Sequence, residues 1–241
     1  ALTDNDDIEY IQPNYLYYPA AVSPVTPDDE YFDKLWGMEA IDAPEAWGIT
    51  QGEEDIVVAV IDTGIDINHP ELSDRMWRNP GEIAGNGIDD DHNEYVDDIY
   101  GWDFYSNDSS LLDDEIDDEH GTHVAGIIAA EANDEGVIGV APGAKIMALK
   151  FLGPGGGSTD DAIEAIEYAK AMGVKIVNCS RGGDSEDLAL KEAIERSGML
   201  FVVAAGNEGD NIDSEEDACY PAAFDSANIL TVTSIANDGD W

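Results

Sequence analysis

Five short, mainly apolar runs constrain the fold of this chain more than any other feature. They are IVVAVI (56–61), KIMALKF (145–151), VKIVNC (174–179), MLFVVA (199–204) and ILTVTS (229–234). Runs of this length are typical of strands that are buried on both faces. Between them, residues 158–172 and 185–197 space apolar side chains as an amphipathic helix does, and Ser158 is a favourable N-cap. The alternation predicts an α/β fold: a doubly wound, mostly parallel sheet with helices on both faces.

The charge of the chain excludes several classes of partner. Fifty-four acidic residues face ten basic ones, which gives a formal net charge of -44. Nucleic acid and anionic membranes are excluded as partners, because phosphates bind to basic surfaces.

No apolar run approaches the roughly 18 residues that a membrane span needs. The N-terminal ALTDNDDIEY lacks the basic and apolar regions of a signal peptide, so the sequence itself gives no evidence of secretion.

Two stretches depart from the strand and helix alternation. Residues 7–15 alternate apolar and polar side chains as a short edge strand does, and Pro19, Pro24 and Pro27 then exclude a helix. Residues 79–118 are rich in Gly, Asn and Asp and are predicted to form a long loop, which in a compact domain is usually functional or metal-bound.

The two cysteines, Cys179 and Cys219, form no CxxC pair, which argues against a thiolate zinc site, while a disulfide and two free thiols both stay open.

Three polar residues lie where chemistry is expected. Asp62, in VIDTG, ends the first apolar run, at the edge where open α/β sheets bind ligands. His120 opens HGTHVAG at a helix start, where an exposed imidazole can exchange protons. Asn207, in AAGNEG, follows the fourth run, where its amide could donate to an oxyanion or simply occupy a turn.

A single Asp-Thr-Gly argues against an aspartic protease, which needs two carboxylates. His120 and His123 could instead ligate a metal, although no glutamate completes HExxH.

Taken together, VAVIDTGID, HGTHVAGIIAA, GVAP and VVAAGNEG resemble, in order, the motifs of the subtilase family over residues 29–241. The resemblance, nearest to the thermitase-like branch, implies a subtilisin-like serine endopeptidase that hydrolyses peptide bonds by a Ser-His-Asp mechanism. Asp62 would orient His120, His120 would be the general base and acid, and Asn207 would contribute to the oxyanion hole. The family's Gly-Thr-Ser-Met-Ala segment does not occur before Trp241. We therefore expect a protease domain truncated before its serine and inactive alone, the alternative being a non-catalytic, calcium-binding structural or interaction module on the same fold.

The resemblance also implies a substrate cleft and a precursor. Gly155 and Gly156 match one edge that pairs with polypeptide substrate, Ser180 and Gly182 match the opposite edge, and Cys219 matches the floor of the S1 pocket. Arg181 stands where an apolar residue is more usual. DIEYIQPNY resembles the last strand of the inhibitory propeptide, so residues 1–28 would be a propeptide tail and processing linker. The propeptide and the missing C-terminal segment are thus expected partners, and a secreted or cell-surface location is implied.

Calcium is the predicted cofactor, at three places. Asp89, Asp91 and Asn93, followed by Asp97, nearly fit the spacing of a calcium-binding loop, although a bare acidic loop is equally compatible. The resemblance adds Asp103 and Asp108, where Ser106 replaces an expected acid. It also adds the family's strong site, with side chains of Asp29, Glu71 and Asn133 and carbonyls of Glu131, Glu135 and Val137.

Overall fold

The computed structural model describes residues 22–113, 119–214 and 216–239. The predicted edge strand over residues 7–15 and most of the linker lie outside the described residues. The helices are α1 (Trp36–Ala40), α2 (Ala43–Trp47), α3 (Glu119–Ala129), α4 (Thr159–Ala171) and α5 (Leu188–Ser197), with a 3-10 turn at Phe32–Lys34. The strands are β1 (Val57–Asp62), β2 (Gly101–Asp103), β3 (Lys145–Lys150), β4 (Ile176–Cys179), β5 (Leu200–Ala204) and β6 (Ile229–Val232). All five apolar runs therefore contain a strand.

The six strands form one parallel sheet in the order β2-β3-β1-β4-β5-β6. The predicted α/β class and parallel sheet are confirmed. Because β1 has β3 on one side and β4 on the other, its carboxyl end lies at the central crevice of the sheet. β2 was not predicted: it is three residues long, too short for an apolar pattern, and lies inside the polar segment 79–118.

Helices cover both faces of the sheet because alternate side chains of each buried strand point in opposite directions. Ala59 and Ile61 of β1 belong to the core that includes residues of α4 and α5. Val58 and Val60 belong to the core that includes Ala125 and Ala129 of α3. α4 begins with a capping box, in which Asp161 N–H donates to Ser158 Oγ at 3.1 Å and Ser158 N–H donates to the Asp161 carboxylate. No helix in the described ranges is long and apolar enough to cross a membrane.

The first turn of α3 lies unusually close to the segment that follows β1. A Cβ placed on Gly121 would be 2.1 Å from the carbonyl oxygen of Gly64, whereas one placed on Gly126, in the same helix, would meet no described atom within 4 Å. Gly121 therefore sets how near the helix lies to the end of β1. This contact matters because His120 immediately precedes Gly121.

The two glycines of α3 give a matched pair of substitutions. We expect Gly121→Ala to lower the free energy of unfolding by about 1–3 kcal/mol, the usual cost of overpacking against a backbone atom that cannot retreat. Gly126→Ala should raise it by about 0.5–1 kcal/mol, because alanine is the better helix former. Denaturant unfolding of the two variants, at one fixed calcium concentration, checks both values. Equal effects of the two substitutions would mean that the Gly121 contact does not position α3.

Candidate active site

Asp62 and His120 are hydrogen-bonded at the carboxyl end of β1. His120 Nδ1 lies 2.6 Å from Asp62 Oδ1. The Asp62 side chain is 1% exposed and that of His120 is 53% exposed, so a buried carboxylate supports a ring that solvent can reach. Thr63 N–H also donates to Asp62 Oδ1, at 2.8 Å. The carboxylate thus fixes Nδ1 as the protonated nitrogen and leaves Nε2 to accept a proton, which is the arrangement of a general base.

Two further hydrogen bonds hold the start of α3 against the segment that follows β1. Gly121 N–H donates to Thr63 Oγ1 at 3.1 Å, and Asp66 N–H donates to Thr122 Oγ1 at 2.8 Å. They flank the Asp62–His120 bond and, with the close approach of Gly121, fix the imidazole relative to the carboxylate. The motif residues Thr63 and Thr122 are therefore positioning residues, a role that the sequence alone did not assign to them.

Asn207 lies on the same edge of the sheet, three residues after β5 ends. β5 is two strands from β1, so the ends of the two strands are about 10 Å apart. The backbone N–H of Asn207 donates to Glu208 Oε2 at 2.8 Å, and Asn207 itself is exposed. Its side-chain amide makes no hydrogen bond to any other residue in the described part of the chain. An amide held there is open to a ligand that lies between the ends of β1 and β5.

Cys219 lies against Gly182 and also near Gly206, the residue that precedes Asn207. Ser180 Oγ accepts a hydrogen bond from Asn178 Nδ2 at 2.9 Å. Gly183 and Tyr220 exchange two backbone hydrogen bonds, which places Cys219 under Gly182: a Cβ on Gly182 would be 2.1 Å from Cys219 Sγ. Cys179 and Cys219 are both free thiols, and burial raises the pKa of each. The predicted cleft floor at Cys219 is thus continuous with the predicted edge at residues 180–182.

The glycine-rich segment that is predicted to form one substrate edge is a tight turn. Gly153 and Gly156 bond to each other through two backbone hydrogen bonds, so Gly155 lies within a tight turn and Gly156, with φ of +88°, closes it. Gly157 follows, and a Cβ there would be 2.4 Å from the Phe151 carbonyl oxygen. The predicted roles of Gly155 and Gly156 stay predictions, and Gly157 is the residue of this edge that lies against the body of the sheet.

Asp29, Glu71 and Asn133, which were predicted to hold a calcium ion, lie close together. Asn133 N–H donates to Asp29 Oδ1 at 3.3 Å, and Val137 N–H donates to Glu71 Oε1 at 3.0 Å. Burial raises the pKa of Asp29 and of Glu71, and each is raised further by neighbouring carboxylates. Glu71 Oε2 is buried and has no partner among the described residues. A buried oxygen of this kind, beside a second carboxylate, fits a bound cation.

The acidic loop groups different carboxylates from those that the spacing predicted. Oxygens of Glu82, Asp91 and Asp98 all lie within 4.8 Å of one another. Asp89 instead accepts backbone hydrogen bonds from Asn93 and Glu94, and Asp97 accepts them from Asn86 and Gly87. Asn93 donates to Asp91 and Asp98 through its side-chain amide. Only Asp91 of the predicted set belongs to the three-carboxylate group.

Glu82 and Asp98 were missed because neither falls at the alternating positions of a calcium loop. Asp98 is fully buried and accepts hydrogen bonds from Tyr168 Oη at 2.6 Å and from Asn79 Nδ2 at 2.8 Å. The Tyr168 hydrogen bond ties the loop to α4. The run Asp97-Asp98 offered a signal for Asp98 alone, as the second of two adjacent acids at the end of the predicted calcium-binding loop.

Asp103 lies beside a cation that the chain itself supplies. Lys150 Nζ, on a side chain that is 3% exposed, lies 3.8 Å from Asp103 Oδ2 and 2.7 Å from Asp113 Oδ2. Burial raises the pKa of Asp103 to about 6 against the opposing effects of Ser106 and Lys150. Asp108 Oδ1 accepts the Ser110 N–H at 2.8 Å. Asp103 Oδ2 is buried and has no hydrogen-bond partner among the described residues, and the calcium site at Asp103 and Asp108 stays a prediction.

A parallel α/β sheet with an Asp–His pair at its central crevice defines an acid–base site, and known proteins with similar sequences identify the family to which it belongs. Residues 53–240 match the Subtilase family, Peptidase_S8. The thermophilic serine proteinase of Bacillus sp. (strain AK1) is 34% identical over 251 residues, covering 100% of this chain and 55% of that protein. The major intracellular serine protease of Bacillus subtilis (strain 168) is 36% identical over 207 residues, covering 84% of this chain and 58% of that protein.

A solved structure agrees with these sequence matches. Fervidolysin from Fervidobacterium pennivorans, described as a keratinolytic enzyme related to subtilisin, aligns with a TM-score of 0.61 and 31% identity over 81% of this chain and 27% of its own. This chain belongs to the subtilase family. It spans little more than half the length of the two curated relatives named above. One of them is named as intracellular, so family membership alone does not fix the predicted secreted or cell-surface location.

Proposed function

We propose that this chain is the acid–base part of a subtilisin-like serine endopeptidase. The observation that carries the proposal is the 2.6 Å hydrogen bond between buried Asp62 and exposed His120 at the carboxyl end of β1. In the proposed reaction, His120 Nε2 takes the proton of a serine hydroxyl as that oxygen attacks the peptide carbonyl, and then returns it to the leaving amine. Asp62 holds the ring and stabilises the imidazolium, and the Asn207 amide donates to the oxyanion.

The serine is proposed to come from a part of the protein outside this chain. Within the described ranges, no Ser, Thr or Cys side chain hydrogen-bonds to His120, and Ser158 and Ser180 are engaged with Asp161 and Asn178. By this proposal the chain alone is inactive. The propeptide tail at residues 1–28, the protease domain from residue 29, and a C-terminal segment that completes the cleft are parts of the same proposal.

Calcium is proposed as a structural cofactor at two sites. Asp29, Glu71 and Asn133, with carbonyls of Glu131, Glu135 and Val137, would hold one ion, and the group around Asp91 would hold another. The ion supplies positive charge to carboxylates that burial otherwise penalises, and it takes no part in proton transfer. The support is the buried, unpartnered Glu71 Oε2 at the first site and the close Glu82, Asp91 and Asp98 oxygens at the second.

Hydrolysis by the full-length protein tests the proposal. Incubation with an unstructured polypeptide, followed by mass spectrometry of the products, is expected to show internal cleavage, while residues 1–241 alone show none. A calcium-binding module without catalytic activity would leave the polypeptide intact in both samples. The polypeptide incubated without enzyme gives the background rate.

A further inference from the structure

Arg181 places a positive charge at the crevice, between the two predicted substrate edges. It follows β4 and lies between Ser180 and Gly182. The pairing of Val60 with Asn178, continued by two residues, sets Ser180 beside Asp62. The Arg181 guanidinium carbon lies 4.5 Å from the ring centroid of Phe151, which follows β3 on the far side of β1. The Arg181 side chain therefore reaches across the end of β1 from one edge toward the other.

Phe151 links Arg181 to the glycine-rich edge. Its ring is buried, and a Cβ placed on Gly157 would be 2.7 and 2.8 Å from two of its ring carbons. The same ring thus carries the guanidinium and supports Gly157. On the other side, Gly182 packs on Cys219 Sγ. The guanidinium therefore lies on the floor of the crevice, between Gly157 of one predicted substrate edge and Gly182 of the other.

The charge of Arg181 is not neutralised within the described residues. No ion pair joins it to a carboxylate in those ranges. Its guanidinium lies over the Phe151 ring and near the Cys179 thiol, and its Nε is buried without a hydrogen-bond partner. Hydrogen bonds from Thr159 and Leu190 lower the pKa of the Asp187 carboxyl, and the positive charge of Arg181 lowers that pKa further. Both Asp187 oxygens are engaged, one by the N–H groups of Ala189 and Leu190 and the other by Thr159 Oγ1.

We propose that Arg181 selects an acidic side chain at one position of the peptide bound between the two edges. The inference rests on the proposed function. An extended peptide sends alternate side chains toward the same surface, so one of them faces this floor. A guanidinium binds a carboxylate through two parallel hydrogen bonds, which a neutral amide cannot match in strength. At every other position the net charge of -44 repels an acidic substrate side chain.

The test is a paired scan of a peptide that the full-length protein cleaves at one bond. Each residue near that bond is replaced in turn by Glu or by Gln, and the ratio of the two kcat/KM values is measured at low ionic strength. We expect the ratio of kcat/KM for the Glu peptide to kcat/KM for the Gln peptide to be about ten at one position and below one at all others. Arg181→Leu should bring the ratio at that position below one, and Arg181→Lys should leave an intermediate ratio, because an ammonium is a single point charge.

Arg196→Gln is the matched control. It also removes one cation, but Arg196 is exposed and lies in the last turn of α5, at the opposite end of that helix from Asp187. This variant should keep the tenfold ratio. A ratio below one at all positions in the wild-type protein overturns the inference, and so does a preference that survives Arg181→Leu or that Arg196→Gln abolishes.

Binding separates this inference from the proposed function. The same Glu and Gln peptides are titrated, by fluorescence anisotropy, into full-length protein that carries His120→Ala. The inference is supported if one Glu peptide binds about tenfold more tightly than its Gln counterpart and if this difference is lost when Arg181→Leu is added. That result would support the inference even if the wild-type protein cleaved no peptide, whereas the absence of cleavage would contradict only the proposed function. If every Glu peptide binds equally to or more weakly than its Gln counterpart, the inference is overturned.

Discussion

Replacing His120 with alanine in the full-length protein is expected to lower kcat for peptide hydrolysis by about 10⁶-fold. That magnitude is the one known for the catalytic histidine of subtilisin, a member of the same family. The physical reason is that His120 is the group placed to remove the serine proton, since Asp62 holds its Nδ1 at 2.6 Å. Asp62→Asn should cost about 10⁴-fold, because an amide neither fixes the reactive tautomer nor stabilises the imidazolium.

His123→Ala is the control for this prediction. His123 lies three residues further along α3, is exposed, and makes no hydrogen bond to Asp62. We expect its kcat to stay within about threefold of the wild-type value, the size of effect usual for a surface substitution. Steady-state kinetics on one fluorogenic peptide measure all three variants. Similar losses in the His120 and His123 variants would point to a metal site that uses both histidines and would contradict the proton-transfer role.

Removal of calcium is expected to lower the melting temperature by about 5–15 °C. An ion present at 100 to 1,000 times its dissociation constant stabilises the folded state by about 2.7–4.1 kcal/mol. For a chain of this size each kcal/mol shifts the melting temperature by about 2–4 °C. Thermal unfolding in excess calcium and in excess EDTA gives the difference directly. Identical melting curves under the two conditions would exclude a structural calcium site.

Glu71→Gln locates the ion. The variant loses a ligand charge, so it should be less stable than wild type in calcium. In EDTA it should be equally or more stable, because a buried charge beside Asp29 has been removed. Glu53→Gln, at an exposed position in the loop before β1, should respond to calcium as wild type does. A Glu71 variant whose melting temperature changes with calcium by the wild-type amount would place the ion elsewhere.

The sheet and the Asp62–His120 pair could be predicted from the sequence because both depend on local patterns. Each of β1, β3, β4, β5 and β6 is an apolar run bounded by polar residues, and parallel strands buried on both faces require such runs. Asp62 and His120 stand in short motifs next to a strand end and a helix start. Their meeting at 2.6 Å follows from where parallel strands and their crossover helices end.

The features that could not be predicted depend on contacts between distant parts of the chain. Glu82 joins Asp91 and Asp98 through the path of a long loop, which residue spacing does not encode. Lys150 ends an apolar strand, and only the pairing of β2 with β3 sets it beside Asp103. The side chain of Arg181 crosses β1 to reach Phe151, a contact that requires the full strand order.

The most direct test of this account is to map the adduct that a serine-directed phosphonate forms with the full-length protein. Peptide mass spectrometry of the labelled protein identifies the modified residue, and a time course gives the rate. We expect one modified serine, outside residues 1–241, and labelling that is slower by at least about a thousand-fold in the His120→Ala variant, because the serine has lost its general base. Labelling of a serine within residues 1–241, or labelling of the His120→Ala variant at the wild-type rate, would contradict it.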